Sequence, residues 1–368
     1  MYSKIAGDIA IDSIEVINGN LTANNATEMT SLSGNALRYI EKFVLQDLTI
    51  LSTMDFPVLT AVDEIVWASL PALSGLGFST PIRSVTSVNI QNTFISSFDG
   101  LGLDNLERVG TMFVANNPYM QNITLPRLQT VDTSISFQAN GRNVLVSLPE
   151  LSEAANVTFR NVSNVSIHSL KNITGSLIFA GGELDSFNGP RLSGIGANLL
   201  VAGNSNLTNF SLPVLSRVGG LLSVTGNANL ESLLFEELDT IGSNVTLTGN
   251  YTNEHGFFRI FKLIRNKFIR RLLVNFGQFF IGISFFRDED WNRTEDKKEK
   301  YLSPPPQELP ARDVQELEAG QLVNEMDAQR EFVEAPVNEV VAELPGDGTI
   351  KARPESGNEG PRNPSSRG

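Results

Sequence analysis

Two kinds of residue in this chain have the type and spacing to do chemistry: carboxylates close together in sequence, and asparagines in Asn-x-Ser/Thr triplets. Glu183 and Asp185 are two residues apart. On an extended backbone they would share a face at roughly 6–7 Å, the separation of an inverting glycosidase pair. They follow directly on Gly181-Gly182, and the next turn has no acid at the matching Asn206–Thr208. Solvated surface charge is therefore the better account. Glu236 and Glu237 are adjacent, and a strand would turn them to opposite faces. His168 and His255 are the only histidines, too isolated for a metal set or a nucleophile triad. Cysteine is absent, which removes disulfides, thiolate metal sites and thiol nucleophiles. Gly181-Gly182 and Gly219-Gly220 read as tight corners rather than phosphate-binding loops. The expectation is a protein with no catalytic residues, no metal site and no cofactor.

The asparagines say more. Asn-x-Ser/Thr occurs at Asn20, Asn25, Asn122, Asn156, Asn161, Asn164, Asn172, Asn206, Asn209, Asn244 and Asn250, eleven before residue 255, and again at Asn292. Such triplets accept N-linked glycans in secreted chains. In Val157-Thr158-Phe159 and Val245-Thr246-Leu247 the apolar residues alternate with threonine. A strand then puts Asn156 and Asn244 on the outward face with their threonines, clear of the core. N-glycosylation at the eleven sites is expected, and with it passage through the secretory pathway.

These residues are positioned by a repeat of about 23 residues. It is cleanest from Asn204 to Asn250, where each copy holds a Leu-x-x-Ile/Val step, a short alternating apolar run and a Gly-Asn corner. The step recurs at Ile14/Ile17, Leu37/Ile40, Leu59/Val62, Ile82/Val85, Leu106/Val109, Leu128/Val131, Leu151/Ala154, Leu170/Ile173, Leu192/Ile195, Leu215/Val218 and Leu238/Ile241. Runs such as Val88-Asn-Ile90, Ile135-Ser-Phe137, Leu177-Ile-Phe179 and Leu222-Ser-Val224 supply two inward residues per short strand. One such strand cannot bury its face alone, but a stack of them forms a parallel sheet. Trp67, Phe137, Phe159 and Phe179 fall in the inward phase. Corners are expected at Asn92, Asn116, Asn140, Gly181, Asn204, Asn227 and Asn250, residues that tolerate a left-handed backbone and can bond the next turn. The fold class is all-β: a parallel β-solenoid over 1–255.

Near Asn250 the periodicity stops. Residues 256–286 are apolar and basic with no acid, carrying Arg259, Lys262, Arg265, Lys267, Arg270 and Arg271. They read either as a membrane-proximal element, with cations at lipid phosphates and Phe and Ile inserted, or as a mis-spliced junction. The uncharged part from Leu272 is too short for a full span. Residues 287–368 are acidic and Pro-rich, the composition of a disordered tail. The formal charge of −13 argues against a nucleic-acid partner. Met1–Asp8 lacks the pattern of a leader while the repeat is already running by Ile14, so the natural domain is expected to begin upstream.

The turns Phe43–Val62 and Ile65–Leu73, and the run Val88-Asn-Ile-Gln-Asn-Thr-Phe-Ile-Ser-Ser-Phe-Asp-Gly-Leu, resemble the fungal GPI-anchored cell-wall organisation proteins. Their repeats are similar to the receptor L-domain. The resemblance covers roughly residues 5–252. It implies a right-handed, leucine-rich β-solenoid at the cell surface, held at the plasma membrane by an anchor, heavily glycosylated and needed for wall integrity. The tail, most clearly Pro304 to Ala328, is similar to that of relatives in which a transmembrane helix replaces the GPI anchor. The function expected is non-enzymatic cell wall organisation, with wall polysaccharide or wall proteins as partners. The alternatives are a ligand-binding membrane receptor with a cytoplasmic tail and, less favoured, a carbohydrate-active β-helix enzyme.

Overall fold

A computed structural model describes residues 6–73, 78, 80–98, 102–249, 271–276 and 279–284, the last two stretches by their backbone. Apart from one short 3₁₀ turn at Leu103–Asn105, every described element is a strand. The chain winds into a parallel β-solenoid of about 10 turns, about 23 residues apart.

The main sheet runs Val16–Asn24, Tyr39–Gln46, Ala61–Leu70, Ser84–Thr93, Arg108–Ala115, Thr130–Gln138 and Glu153–Arg160, each parallel to the next. The step residues form one column: Ile17 pairs with Ile40, Ile40 with Val62, Val85 with Val109, Val109 with Val131 and Val131 with Ala154. The column continues through Ile173, Ile195, Val218 and Ile241. The alternating runs give two more inward columns, which include Phe43 and Leu45, Ile65 and Trp67, Val157 and Phe159, and Val245 and Leu247, all buried. Between them, Phe137, Phe159, Phe179, Phe187, Phe210 and Phe235 make successive ring contacts along the core.

From residue 172 onward each turn's strand is split, as in Arg217–Val218 followed by Leu222–Thr225. The cause is one extra residue between the step and the alternating run: Val109 and Met112 are three apart, Val218 and Leu222 four. A single such turn makes a bulge, seen between Val131 and Ser134. Four in succession stack their bulges, and the backbones close up. A Cβ on Gly196, Gly219 or Gly242 would lie 1.9 Å from the carbonyl oxygen of Thr174, Gly196 or Gly219. Only glycine fits there.

Short three-stranded sheets form a second side: Ala6–Ala10 with Glu28–Ser33 and Thr53–Asp55, Asn122–Thr124 with Leu145–Ser147 and Asn164–Ser166, and Ser186–Asn188 with Asn209–Ser211 and Ser232–Leu234. The corner between the sides holds one residue at positive φ in each turn from Asn25 to Gly226. Asn92, Asn116 and Gly181 stand there as expected. The corners expected at Asn140, Asn204 and Asn227 fall one residue earlier, on Ala139, Gly203 and Gly226. Those asparagines, and Asn117 after the Asn116 corner, instead turn inward and build the bonds between turns. Asn117 accepts from the Thr93 N–H at 2.9 Å and donates to the Ile90 carbonyl at 3.2 Å. Asn140 donates to the Val114 carbonyl at 2.9 Å, and Asn227 to that of Val201 at 2.8 Å. Asn250 and His255 lie outside the described residues, as does 287–368.

The sequence period ends near Asn250, but strand pairing does not. Arg271–Phe276 joins Val245–Gly249 in parallel, and Phe279–Ser284 folds back antiparallel on it. Among the described residues no helix is long and apolar enough to cross a membrane.

Candidate functional site

The broadest regular surface is the outward face of the main sheet. Its middle column, from register, is Thr22, Val44, Val66, Asn89, Phe113, Ser136, Thr158, Ile178, Leu200, Ser223 and Thr246. Asn89, Ser136, Thr158, Ile178, Leu200 and Thr246 are half-buried outward residues, as their alternation predicts, whereas Ser223 is buried. No residue in this column is an acid or a base. The next column is rich in alanine and glutamine, with Gln46, Ala68, Gln91, Ala115 and Gln138 in register. The middle column is therefore uncharged, and the charges of this sheet stand in the columns beside it. Lys42 Nζ to Glu64, at 2.8 Å, joins adjacent turns.

Other carboxylates are spent on similar bonds between turns. Arg83 pairs with Glu107, and Arg108 reaches both oxygens of Asp132, at 2.6 and 2.8 Å. The Tyr39 hydroxyl donates to Asp63 at 2.7 Å, and this bond raises the Tyr39 pKa above its ordinary value. Asp8 accepts from Ser31 at 2.7 Å and Thr30 at 2.8 Å, and these bonds lower its pKa.

Glu183 and Asp185 flank the buried Leu184 and are both exposed, with no strand beneath them. The position stacked on Asp185 is Thr208, whose N–H and hydroxyl both bond the Asp185 carbonyl, and no second acid joins the pair there. Glu236 and Glu237 sit in a bend rather than a strand, so both point to solvent instead of to opposite faces. His168 is exposed in a turn, its Nδ1 2.8 Å from Ser166 Oγ. Among the described residues no three His, Asp or Glu side chains gather to hold a metal.

Nine of the predicted glycosylation sites are exposed: Asn20, Asn25, Asn156, Asn161, Asn164, Asn172, Asn206, Asn209 and Asn244; Asn122 is half-buried. Asn20, Asn156 and Asn244 lie along one edge of the main face. Asn25 and Asn161 occupy the left-handed corner at φ 54° and 56°. Asn156 also bonds the turns on either side of it. Its Nδ2 donates to the Thr133 carbonyl at 3.0 Å, and its Oδ1 accepts from the Ser176 N–H at 3.0 Å.

Sequence reasoning missed an exposed ring pair, Phe94 and Tyr119, in contact across adjacent turns with centroids 4.6 Å apart. They are 25 residues apart in sequence, and neither fits the inward period, so no local pattern links them.

No protein-family model matches the chain, and no solved structure does. Curated relatives do match. The chain is 35% identical over 202 residues to "Protein ecm33" of Aspergillus fumigatus, covering 55% of this chain and 50% of that one. It is 31% identical over 207 residues to "Cell wall protein ecm33" of Schizosaccharomyces pombe, covering 55% and 48%. To "Cell wall mannoprotein PST1" of Saccharomyces cerevisiae it is 34% identical over 196 residues, covering 53% and 43%. The chain thus spans about half the length of the curated relatives it matches. Over about half its length the chain is similar to the Ecm33-type cell-wall proteins of fungi.

Proposed function

We propose that this chain is a non-enzymatic cell-surface glycoprotein of the fungal wall, acting through the outward surface of its solenoid. The observation that carries this reading is the naming of its relatives as wall and cell-surface proteins. The exposure of nine glycan acceptor sites on one rigid stack supports it. A parallel stack with an uncharged middle column holds recognition groups at fixed spacing, which suits contact with an extended polymer or a neighbouring wall protein. The acids of the repeats are dispersed or paired between turns rather than converged in a cleft, which favours a binding surface over a glycosidase pair.

The test is an endoglycosidase mobility shift on the native protein in wall, membrane and cytosolic fractions. A large shift in wall or membrane material is expected. An unshifted cytosolic protein would overturn the reading.

A further inference from the structure

We infer that Phe94 and Tyr119 form a carbohydrate-contact platform, on which a neutral β-linked polysaccharide stacks its pyranose rings. The inference rests on the wall-protein reading and names the surface that would do its binding.

The solenoid hides its aromatic residues with few exceptions. Trp67, Phe43, Phe56, Phe98, Phe137, Phe159, Phe179, Phe210 and Phe235 are all fully buried. Phe94 and Tyr119, at 40% and 55%, are the aromatic residues classed as exposed among those described, and they touch each other. Leaving two rings in water forgoes the stabilisation that burial gives every other large ring here.

The pair is also held in place. Phe94 lies between Thr93 and Ile95, both fully buried. Tyr119 is the third residue of a turn closed by Met120 N–H to Asn117 O at 3.1 Å, with Pro118 in the position that favours such a turn. Asn117 is buried, and its Oδ1 accepts from both the N–H and the hydroxyl of Thr93. That bond ties the two ring-bearing segments together. Below, Gly141 lets the next turn approach: a Cβ there would lie 2.2 Å from the Met120 carbonyl oxygen and 2.9 Å from that of Pro118. Rings fixed before binding lose little entropy when a ligand arrives.

The surroundings select the ligand. Asn92 and Asn116, both exposed, precede the rings at the corner, and Arg142 is exposed one turn further on. Neutral amide groups beside an aromatic face suit sugar hydroxyls above and C–H faces on the ring. β-Linked pyranoses present such flat C–H faces on successive residues. Two rings are too small a patch for a stable protein interface, which needs about 800 Å² per partner. One acceptor triplet, at the half-buried Asn122, lies three residues after Tyr119; none occurs between Asn25 and Asn122. At the ladder spacing, Asn25 and Asn161 stand about 14 and 10 Å from this corner along the stack.

The experiment compares the full glycosylated chain with Phe94→Ala/Tyr119→Ala and with Val214→Ala, a control at another exposed apolar residue. Retention on colloidal chitin, insoluble β-glucan and α-mannan is measured, with laminarin titration for affinity. The double variant should keep its thermal midpoint and bind a β-linked polymer about tenfold more weakly or worse, while Tyr119→Trp keeps binding. Equal retention of double variant and parent overturns the platform, as does a parent retained on no β-linked polymer. Loss of self-association in the double variant without loss of polymer retention also overturns it, assigning the rings to a contact between copies. Fractionation of the parent separates the two failures. Wall association without ring-dependent binding sinks only the platform, and a cytosolic unshifted protein sinks the wall reading.

Discussion

Asn227 Oδ1 accepts two hydrogen bonds from Asn204, from its backbone N–H at 2.9 Å and its Nδ2 at 3.1 Å. Asn204 Oδ1 in turn accepts from the Gly182 N–H at 3.1 Å. The same arrangement links Asn117 to Asn140. Each asparagine serves the corner of the turn before it, so backbone donors that the bend removes from the sheet are satisfied without water.

Asn227→Ala takes the acceptor from the buried Asn204 N–H and one donor from the Val201 carbonyl, while the Asn204 Nδ2 keeps the Phe179 and Ala202 carbonyls. The expected loss of unfolding free energy is about 2 kcal/mol, measured by urea titration. Asn227→Asp keeps the acceptor but removes the donor to Val201 and buries a charge, so it should rescue little. If both variants unfold with the parent, the ladder does not stabilise the stack.

How much of this was legible in the sequence depends on the position. The inward pairs were, because Val157-Thr-Phe159 and its equivalents repeat the alternation with one apolar phase. The ladder was legible as bonding but misplaced by one residue. Asn116-Asn117 offers two asparagines, one suited to the left-handed corner and one to the buried bond, and type alone does not tell them apart. Gly203-Asn204 resolves it, since glycine takes the corner and asparagine the bond. The exposed Phe94–Tyr119 pair was not legible, because its contact depends on how two turns stack.

Glycine stands in two columns for different reasons, one of them steric and one conformational, and substitution should separate them. Gly219→Ala places a methyl 1.9 Å from the Gly196 carbonyl oxygen, which belongs to backbone and cannot swing away. A loss of about 3 kcal/mol or more, or failure to fold, is expected. Gly203→Asn meets nothing closer than 3.8 Å at φ 66°, a conformation Asn92 and Asn116 already adopt. It should stay within about 1 kcal/mol of the parent. Thermal midpoints of the two variants decide the matter.

The two titrating groups with shifted pKa values act at opposite ends of the pH scale. The Asp8 pKa is lowered by the Ser31 and Thr30 hydroxyls. Its contribution is therefore present above the ordinary carboxyl value and lost as pH falls below about 4. Tyr39, raised by Asp63, contributes at lower pH and loses its bond as pH climbs past about 10. The thermal midpoint of Asp8→Asn should converge on the parent's in acid, and that of Tyr39→Phe in alkali. A difference that persists across the whole range would dissociate these bonds from stability.

Asn156 lets glycan and side-chain effects be pulled apart. Asn156→Ala removes the expected glycan site together with the bonds to Thr133 and Ser176. Thr158→Val removes the glycan site alone, since the Thr158 side chain is half-buried on the outward face and valine suits a strand. The first variant should lose about 1–2 kcal/mol, and the second should match an enzymatically deglycosylated parent. Peptide mass mapping would report occupancy, expected at the nine exposed sites and lower at the half-buried Asn122. Attachment uses one Nδ2 hydrogen, leaving the other for the Thr133 carbonyl. If Asn156 is fully occupied and Asn156→Ala is no less stable than Thr158→Val, the bonds across the turns at this position are dispensable and the asparagine serves the glycan alone.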